Sequence, residues 1–172
     1  MYKKGKAMKQ LLYRFITVCL LVGWLITIFA FSAQPAHESD KVSGTVAYRV
    51  VSACNQMFDA GMTDETKELI AGEINYPIRK AAHMTEYAIL GLLFFFCLVG
   101  YIKEEKRIYV SALCLTACYA ATDEIHQLFV AGRAGRFSDV CIDTLGAAIG
   151  LLVLYLIRKN ICAKRIGKHC EK

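Results

Sequence analysis

The chain has 172 residues, of which 56% are hydrophobic and 21% are charged. Soluble domains average about 45–50% apolar residues even with glycine counted, so this composition favours an integral membrane protein over a soluble enzyme. The net charge of +6 does not indicate nucleic-acid binding, because the basic residues cluster at the chain ends and beside apolar runs. None of the eight cysteines forms a C-x-x-C pair, so neither a disulfide framework nor a zinc ribbon is expected.

Four apolar runs approach the length of about 20 residues that a helix needs to cross a bilayer. Counted with their flanking residues, they cover residues 12–33, 81–102, 108–130 and 139–158. We therefore predict an all-α fold: an integral membrane bundle of four transmembrane helices within a single domain, residues 1–172. The first run follows several lysines, as in a signal peptide, but it is longer than the usual apolar core of one.

The longest connection, residues 34–80, is predicted to be partly helical. Val42, Val46 and Val50 recur at helical spacing, which indicates an amphipathic helix. This helix either lies on the membrane surface or forms a lid over a site. A second, short helix is predicted to begin near Asp64, because acidic residues suit the first turn of a helix.

The distribution of lysine and arginine predicts the orientation of the bundle. Fourteen of the 21 basic residues lie at the two chain ends and in the connection at 103–107, and seven lie in the other connections. The positive-inside rule places the more basic side in the cytoplasm. Both termini are therefore expected in the cytoplasm, with residues 34–80 on the outer side.

Three acidic residues within the predicted spans lie at a common depth. At about 1.5 Å per residue, Glu86, Asp123 and Asp143 lie about 22–25 Å from the inner ends of their spans. His83 and His126 lie about one turn farther out. Residues three or four apart share a helix face, so each acid is expected to point at a neighbouring helix or at a pocket between helices. These five residues are the candidate catalytic residues.

Other charged and polar residues border this layer and are candidates for binding a substrate. They are Arg79, Lys80, Glu124, Gln127, Arg133, Arg136 and Asp139. A first interpretation is structural, since acids and bases in near balance can form a buried ion-pair lattice that fixes helix packing. A second is a pocket for an anionic, lipid-linked substrate, because arginine recognises phosphate and a histidine beside a carboxylate can perform acid–base chemistry.

A third interpretation is a metal site. His83 and Glu86 lie one turn apart, as do Asp123 and His126, and a carboxylate at Asp139 or Asp143 would complete a ligand set. The neighbouring basic side chains oppose a bound cation. We therefore assign no metal ligand and no cofactor.

Several motifs together resemble the VanZ-like family. They are FSAQP at 31–35, RKAAHMTEY at 79–87, DEIHQ at 123–127, RAGR at 133–136 and DVCIDTLG at 139–146. Ala33 departs from the serine that the family often has there. The resemblance covers about residues 31–150.

This resemblance implies a small multi-pass protein of the bacterial cell membrane. The family's namesake is associated with resistance to the glycopeptide teicoplanin. It implies a protein that alters glycopeptide susceptibility or handles a cell-envelope lipid precursor at the outer leaflet. The expected partners are membrane lipid and either a lipid-linked cell-wall precursor or a glycopeptide, not nucleic acid. The alternative is a membrane-embedded hydrolase or transferase, with or without a metal.

The charge distribution gives a testable topology. In intact cells, a membrane-impermeant thiol reagent is expected to label a cysteine introduced near Asp64 and not one near Lys168, with the native cysteines replaced by serine. Reversed labelling would place the charged layer at the cytoplasmic side and contradict a site that opens outward.

Overall fold

The computed structural model describes the backbone of residues 2–170 and the side chains of residues 5–163. Five helices follow one another: α1 (Tyr2–Ser32), α2 (Ala36–Phe58), α3 (Asp64–Val99), α4 (Glu105–Gln127) and α5 (Phe137–Cys170). The described residues contain no strand, so the predicted all-α class is confirmed. Of the basic residues used to predict the orientation, Lys3, Lys4 and those from Lys164 onward have side chains outside the described part.

Helices α1, α3, α4 and α5 form a four-helix bundle in which α3 contacts each of the others. Apolar residues recur at helical spacing on each inner face. In water the burial of such a face drives helix association, whereas within a membrane close packing of the side chains does. One core cluster joins α1, α3 and α4, and a second joins α3, α4 and α5. Their buried members are Ile28, Tyr87, Leu90 and Ala120 in the first, and Phe95, Ile108, Ala112 and Leu151 in the second.

Three helical segments of the described chain are long and apolar enough to cross a membrane: Gly5–Ser32, Asp64–Val99 and Phe137–Ala163. Helix α4, which contains most of the predicted span 108–130, is not among them. Its last turns carry Asp123, Glu124 and His126, and these lower its apolar character. The helix nevertheless packs within the bundle, so the count of four crossings stays a prediction.

The predicted outer connection is a helical hairpin. Helix α3 begins at Asp64, as expected, and the side chain of Thr63 caps it by accepting a hydrogen bond from the Thr66 amide. The prediction of a separate short helix is wrong, because α3 continues for 36 residues to Val99, with Pro77 inside it. The predicted second span is therefore the last part of a longer helix, whose first part pairs with α2.

The valine stripe of α2 does not face α3. The buried residues of α2 are Ser43, Ala47 and Val51, and their small size brings the two helices of the hairpin close together. Val42 and Val46 are exposed. The predicted amphipathic character is thus present, but the apolar stripe points away from the hairpin contact.

Helices α3 and α5 approach each other through small residues. A Cβ atom on Gly146 would lie 2.3 Å from the backbone oxygen of Met84, and one on Gly150 would lie 3.1 Å from the Cβ of Ala88. Farther along the contact, a Cβ on Gly91 would lie 3.2 Å from the Cβ of Ala147. Small residues at such positions allow two helix backbones to meet, and here they set His83 and Glu86 opposite the start of α5.

Replacing Gly146 with alanine is expected to destabilise the bundle. The new methyl group would overlap the Met84 backbone, which has no rotamer to move aside, and overpacking costs about 1–3 kcal/mol. Gly23→Ala is the matched control, because nothing lies within 4 Å of its added Cβ and alanine favours a helix by up to about 1 kcal/mol. Size-exclusion profiles after heating in detergent would show lower thermal stability only for Gly146→Ala. Equal profiles would contradict the close contact.

Candidate functional site

A cavity of about 300 Å³ opens where α2 begins, between α3, the α4–α5 loop and the start of α5. Its lining contains four basic residues, Arg79, Lys80, Arg133 and Arg136. Among the described residues that line it, Asp139 is the one carboxylate. We call it the cationic cavity, since its walls carry more positive than negative charge.

Two of these bases are held by ion pairs. The Nζ of Lys80 lies 2.6 Å from Oδ2 of Asp139, and both side chains are mostly shielded from solvent. The Arg79 guanidinium pairs with Asp40 of α2. The first pair joins α3 to α5 and the second joins α3 to α2, so the cavity walls are tied together by the charges that line them.

Arg133 is held by backbone carbonyls. Its Nε donates to the oxygen of Gln34 at 2.8 Å and its Nη2 donates to the oxygen of Phe31 at 3.0 Å. These bonds fasten the α4–α5 loop to the end of α1. Burial lowers the pKa of the Arg133 guanidinium, and the nearby Asp123 acts in the opposite direction. The group remains charged at neutral pH, because the ordinary pKa of arginine is far above it.

The α4–α5 loop lies directly against α4. The backbone N–H of Arg136 donates to Oε2 of Glu124 at 2.8 Å. A Cβ on Gly135 would lie only 2.3 Å from the backbone oxygen of Glu124, so glycine is needed for this approach. Glu124, one of the predicted substrate-binding residues, holds the loop against α4, and the side chain of Arg136 remains exposed at the cavity.

A second cavity, the apolar groove, adjoins the first. It has a volume of about 280 Å³, and apolar side chains from three helices, Phe31, Val42, Val46 and Ile78, form much of its wall. Four residues line both cavities: Ser39, Arg79, His83 and Arg133. The basic side chains therefore lie at the junction of a charged space and an apolar one.

His83 stands at this junction with Glu86 one turn away. Their Nδ1 and Oε2 atoms are 3.5 Å apart, so the carboxylate can orient the imidazole while the ring borders both cavities. The backbone oxygen of Glu86 accepts a hydrogen bond from Trp24 Nε1 at 3.0 Å. Helix α1 thus supports this turn of α3.

Asp123, Asp143 and Tyr87 lie below the cationic cavity and do not line it; we call them the buried acid cluster. Their exposed fractions are 5%, 3% and 0%. Asp143 interacts electrostatically with Asp123 and His83, and Tyr87 interacts with both aspartates. Gln127, which lines the cavity, donates from Nε2 to Oδ2 of Asp123 at 3.0 Å. The Gln127 side chain therefore connects the wall of the cationic cavity to the buried acid cluster.

His126 does not join the other candidates. Its ring stacks on Phe29 of α1, with the ring centroids 4.5 Å apart, and it lines neither cavity. Within the described part of the chain, no three His, Cys, Asp or Glu side chains are arranged to hold a metal ion. The predicted site residues therefore occupy three places: the cavity walls, the buried acid cluster and the contact with α1.

Three residues of this region were missed by the sequence analysis. Tyr87 has its hydroxyl among the acids, and its position one turn after His83 on the same face was a usable signal. Tyr76 lines the cavity and lies beneath Lys80, with the Nζ 5.4 Å from its ring centroid. Asp40 is one of several acids in the 34–80 segment, and nothing in the sequence singles it out as the partner of Arg79.

Comparison with known proteins gives one match. A family model described as VanZ/LLP1 matches residues 16–158, a region that contains all the site residues described above. No curated protein and no solved structure matches the chain.

Proposed function

We propose that this chain, which belongs to the VanZ/LLP1 family, binds the phosphate group of a lipid-linked cell-envelope precursor in the cationic cavity. By holding this lipid at the outer leaflet, the protein changes the susceptibility of the cell to glycopeptides such as teicoplanin. Binding alone suffices for this function, and no chemical turnover is required.

The observation that carries the proposal is the charge of the cavity wall. Of the four basic residues, Lys80 is offset by Asp139 and Arg79 by Asp40, which leaves Arg133 and Arg136 without a carboxylate partner among the described residues. Arg133 donates to carbonyls rather than to a carboxylate. The wall thus keeps a positive surplus that a phosphate or diphosphate would neutralise, and charge-assisted hydrogen bonds from guanidinium groups to phosphate are among the stronger polar contacts.

The predicted orientation supports an envelope ligand. With both termini in the cytoplasm, the cationic cavity opens at the outer leaflet, where lipid-linked cell-wall precursors and glycopeptides meet. The apolar groove beside the cavity supports a ligand that carries a hydrocarbon chain next to its charged group, because both spaces share Arg79 and Arg133.

The second candidate function is a membrane-embedded hydrolase or transferase. The observation that favours it is the His83–Glu86 pair at the cavity junction, since a carboxylate that orients an imidazole is a common feature of acid–base catalysis. Turnover distinguishes the two functions: a binding protein releases the lipid phosphate unchanged, whereas the enzyme releases a product from it.

Neutralising Arg136 is expected to weaken binding of a prenyl diphosphate. In purified protein, Arg136→Gln removes one charged donor while keeping the backbone bond to Glu124, and such a donor is worth about 1.5–3 kcal/mol, roughly tenfold in Kd or more. Arg49→Gln is the control, because Arg49 is an exposed base on α2 that lines neither cavity. Calorimetry with farnesyl diphosphate measures both. Equal affinity of both variants, or no binding to the unmodified protein, would contradict the proposal.

Conservative changes in the charged layer separate a functional site from an ion-pair lattice. Glu86→Gln and Asp123→Asn keep the side-chain shape, so these variants are expected at near-normal abundance in the membrane but without the glycopeptide phenotype. Lys67→Gln, on the hairpin away from both cavities, is expected to keep both. Immunoblots and teicoplanin susceptibility in an expressing host provide the readouts. Parallel loss of abundance and phenotype would favour the lattice, and a full phenotype in both variants would contradict a site.

A further inference from the structure

Two carboxylates of the buried acid cluster lack a basic partner. Asp123 and Asp143 are almost fully buried, and among the described residues no Lys, Arg or His nitrogen lies within 4.0 Å of either one. An ionised carboxylate in an apolar interior is strongly unfavourable unless it is paired. Two of them in one cluster would also repel each other.

We infer that Asp123, Asp143 and Tyr87 form a proton-binding site inside the bundle, and that an anion entering the cationic cavity draws a proton into it. The second half of this inference rests on the proposed function, whereas the first half does not. The ligand of the site is a proton from solvent, held between the two carboxylates, with the phenol hydroxyl donating to the oxygen that remains charged.

Unsatisfied polar atoms support a bound proton. Oδ1 of Asp123 and the Tyr87 hydroxyl are both buried and have no hydrogen-bond partner, while Oδ2 of Asp123 already accepts from Gln127. An ionised carboxylate only accepts hydrogen bonds, whereas a protonated one also donates. The Tyr87 hydroxyl can donate to only one oxygen, and the described hydrogen bonds give Asp143 no donor. One shared proton therefore neutralises one of the two aspartates and supplies a second donor to the cluster.

Charged groups of both signs surround this site. The charged and titratable groups around it are Lys80, His83 and Glu86 from α3, Tyr119 and Glu124 from α4, Asp139 from α5 and Arg133 from the α4–α5 loop. Helix α1 has no charged residue between Phe15 and Ala33. Lys80 is neutralised by Asp139 and His83 lies beside Glu86. Arg133 donates to backbone carbonyls and acts on Asp123 only from beyond ion-pair distance.

Electrostatic interaction couples anion binding in the cationic cavity to proton binding in the buried acid cluster. An anion among the basic side chains screens the positive charge that favours ionised aspartates, and its own charge raises the affinity of the aspartates for a proton. Gln127 contacts both layers, since it lines the cavity and bonds Asp123. By linkage, a ligand that draws in a proton must itself bind more tightly as the pH falls.

Infrared spectroscopy tests the proton site without any ligand. In lipid nanodiscs at neutral pH, the protein is expected to show a protonated carboxylic-acid C=O band that shifts in D₂O. Asp123→Asn and Asp143→Asn should each remove or shift the band, and Tyr87→Phe, which keeps the ring, should shift it. Asp64→Asn, at an exposed carboxylate, should leave it unchanged.

The absence of this band from the unmodified protein would overturn the proton site, as would a band unaffected by either aspartate change. A band that disappears when sodium chloride is added would instead assign the site to a cation. Elution of each variant at the volume of the unmodified protein confirms that it is folded.

Calorimetry tests the coupling. Diphosphate binding is measured in two buffers of different ionisation enthalpy, which gives the number of protons taken up per anion. The unmodified protein is expected to take up more protons than Asp143→Asn, and the ionisation of the ligand itself is the same in both titrations. Binding with equal proton uptake would overturn the coupling. Failure of the unmodified protein to bind diphosphate would overturn the proposed function and the coupling, while the infrared result would still decide the proton site.

Discussion

The whole charged region depends on how closely α3 and α5 approach each other. With glycine at 146 and 150, α5 contributes no side chain at two successive turns that face Met84 and Ala88, and the polar residues that flank the contact are brought close together. Lys80 reaches Asp139 directly, and Asp143 lies within electrostatic reach of His83. A wider helix spacing would separate Lys80 from Asp139 and leave buried charges without a partner, which is strongly unfavourable.

The basic residues line the cavity and the two buried aspartates lie beneath it, and these two groups have different physical roles. At the cavity, three of the four bases are paired with acids or with carbonyl groups and connect separate parts of the chain: Lys80 holds α5, Arg79 holds α2, and Arg133 holds the end of α1. The ion-pair lattice interpretation describes this layer well. It does not describe the aspartates beneath, which lack bases among the described residues and leave an oxygen unsatisfied.

The sequence allowed the depth of each acidic residue along its helix to be predicted, but not which of these residues line the cavity and which are buried beneath it. Depth along a helix follows from a fixed rise per residue, so the common level of Glu86, Asp123 and Asp143 could be derived without coordinates. The separation of cavity wall from buried cluster could not, because it depends on the path of the α4–α5 loop and on helix rotation. A change of a few tens of degrees decides whether His126 faces the cavity or, as found, Phe29.

That α3 is one continuous helix could not be predicted from the sequence either. Composition changes from polar to apolar near residue 81, which suggests two segments, yet backbone hydrogen bonding does not depend on which solvent surrounds each turn. Pro77 removes only one donor from this helix, and packing against α2 maintains the first part. A change in hydropathy along the chain therefore does not by itself mark the end of a helix.

The place of Asp139 and Asp143 on the last helix has a consequence for how the protein is made. Until α5 leaves the ribosome, Lys80 has no counter-ion from α5 and the pocket wall is incomplete, while Asp123 and Glu124 already sit on a helix near the bilayer. A chain interrupted before residue 137 would therefore leave these polar groups without the partners that α5 supplies. Synthesis of α5 brings Asp139 to Lys80 and Gly146 to Met84, so one helix completes both the cavity wall and the packing of the bundle.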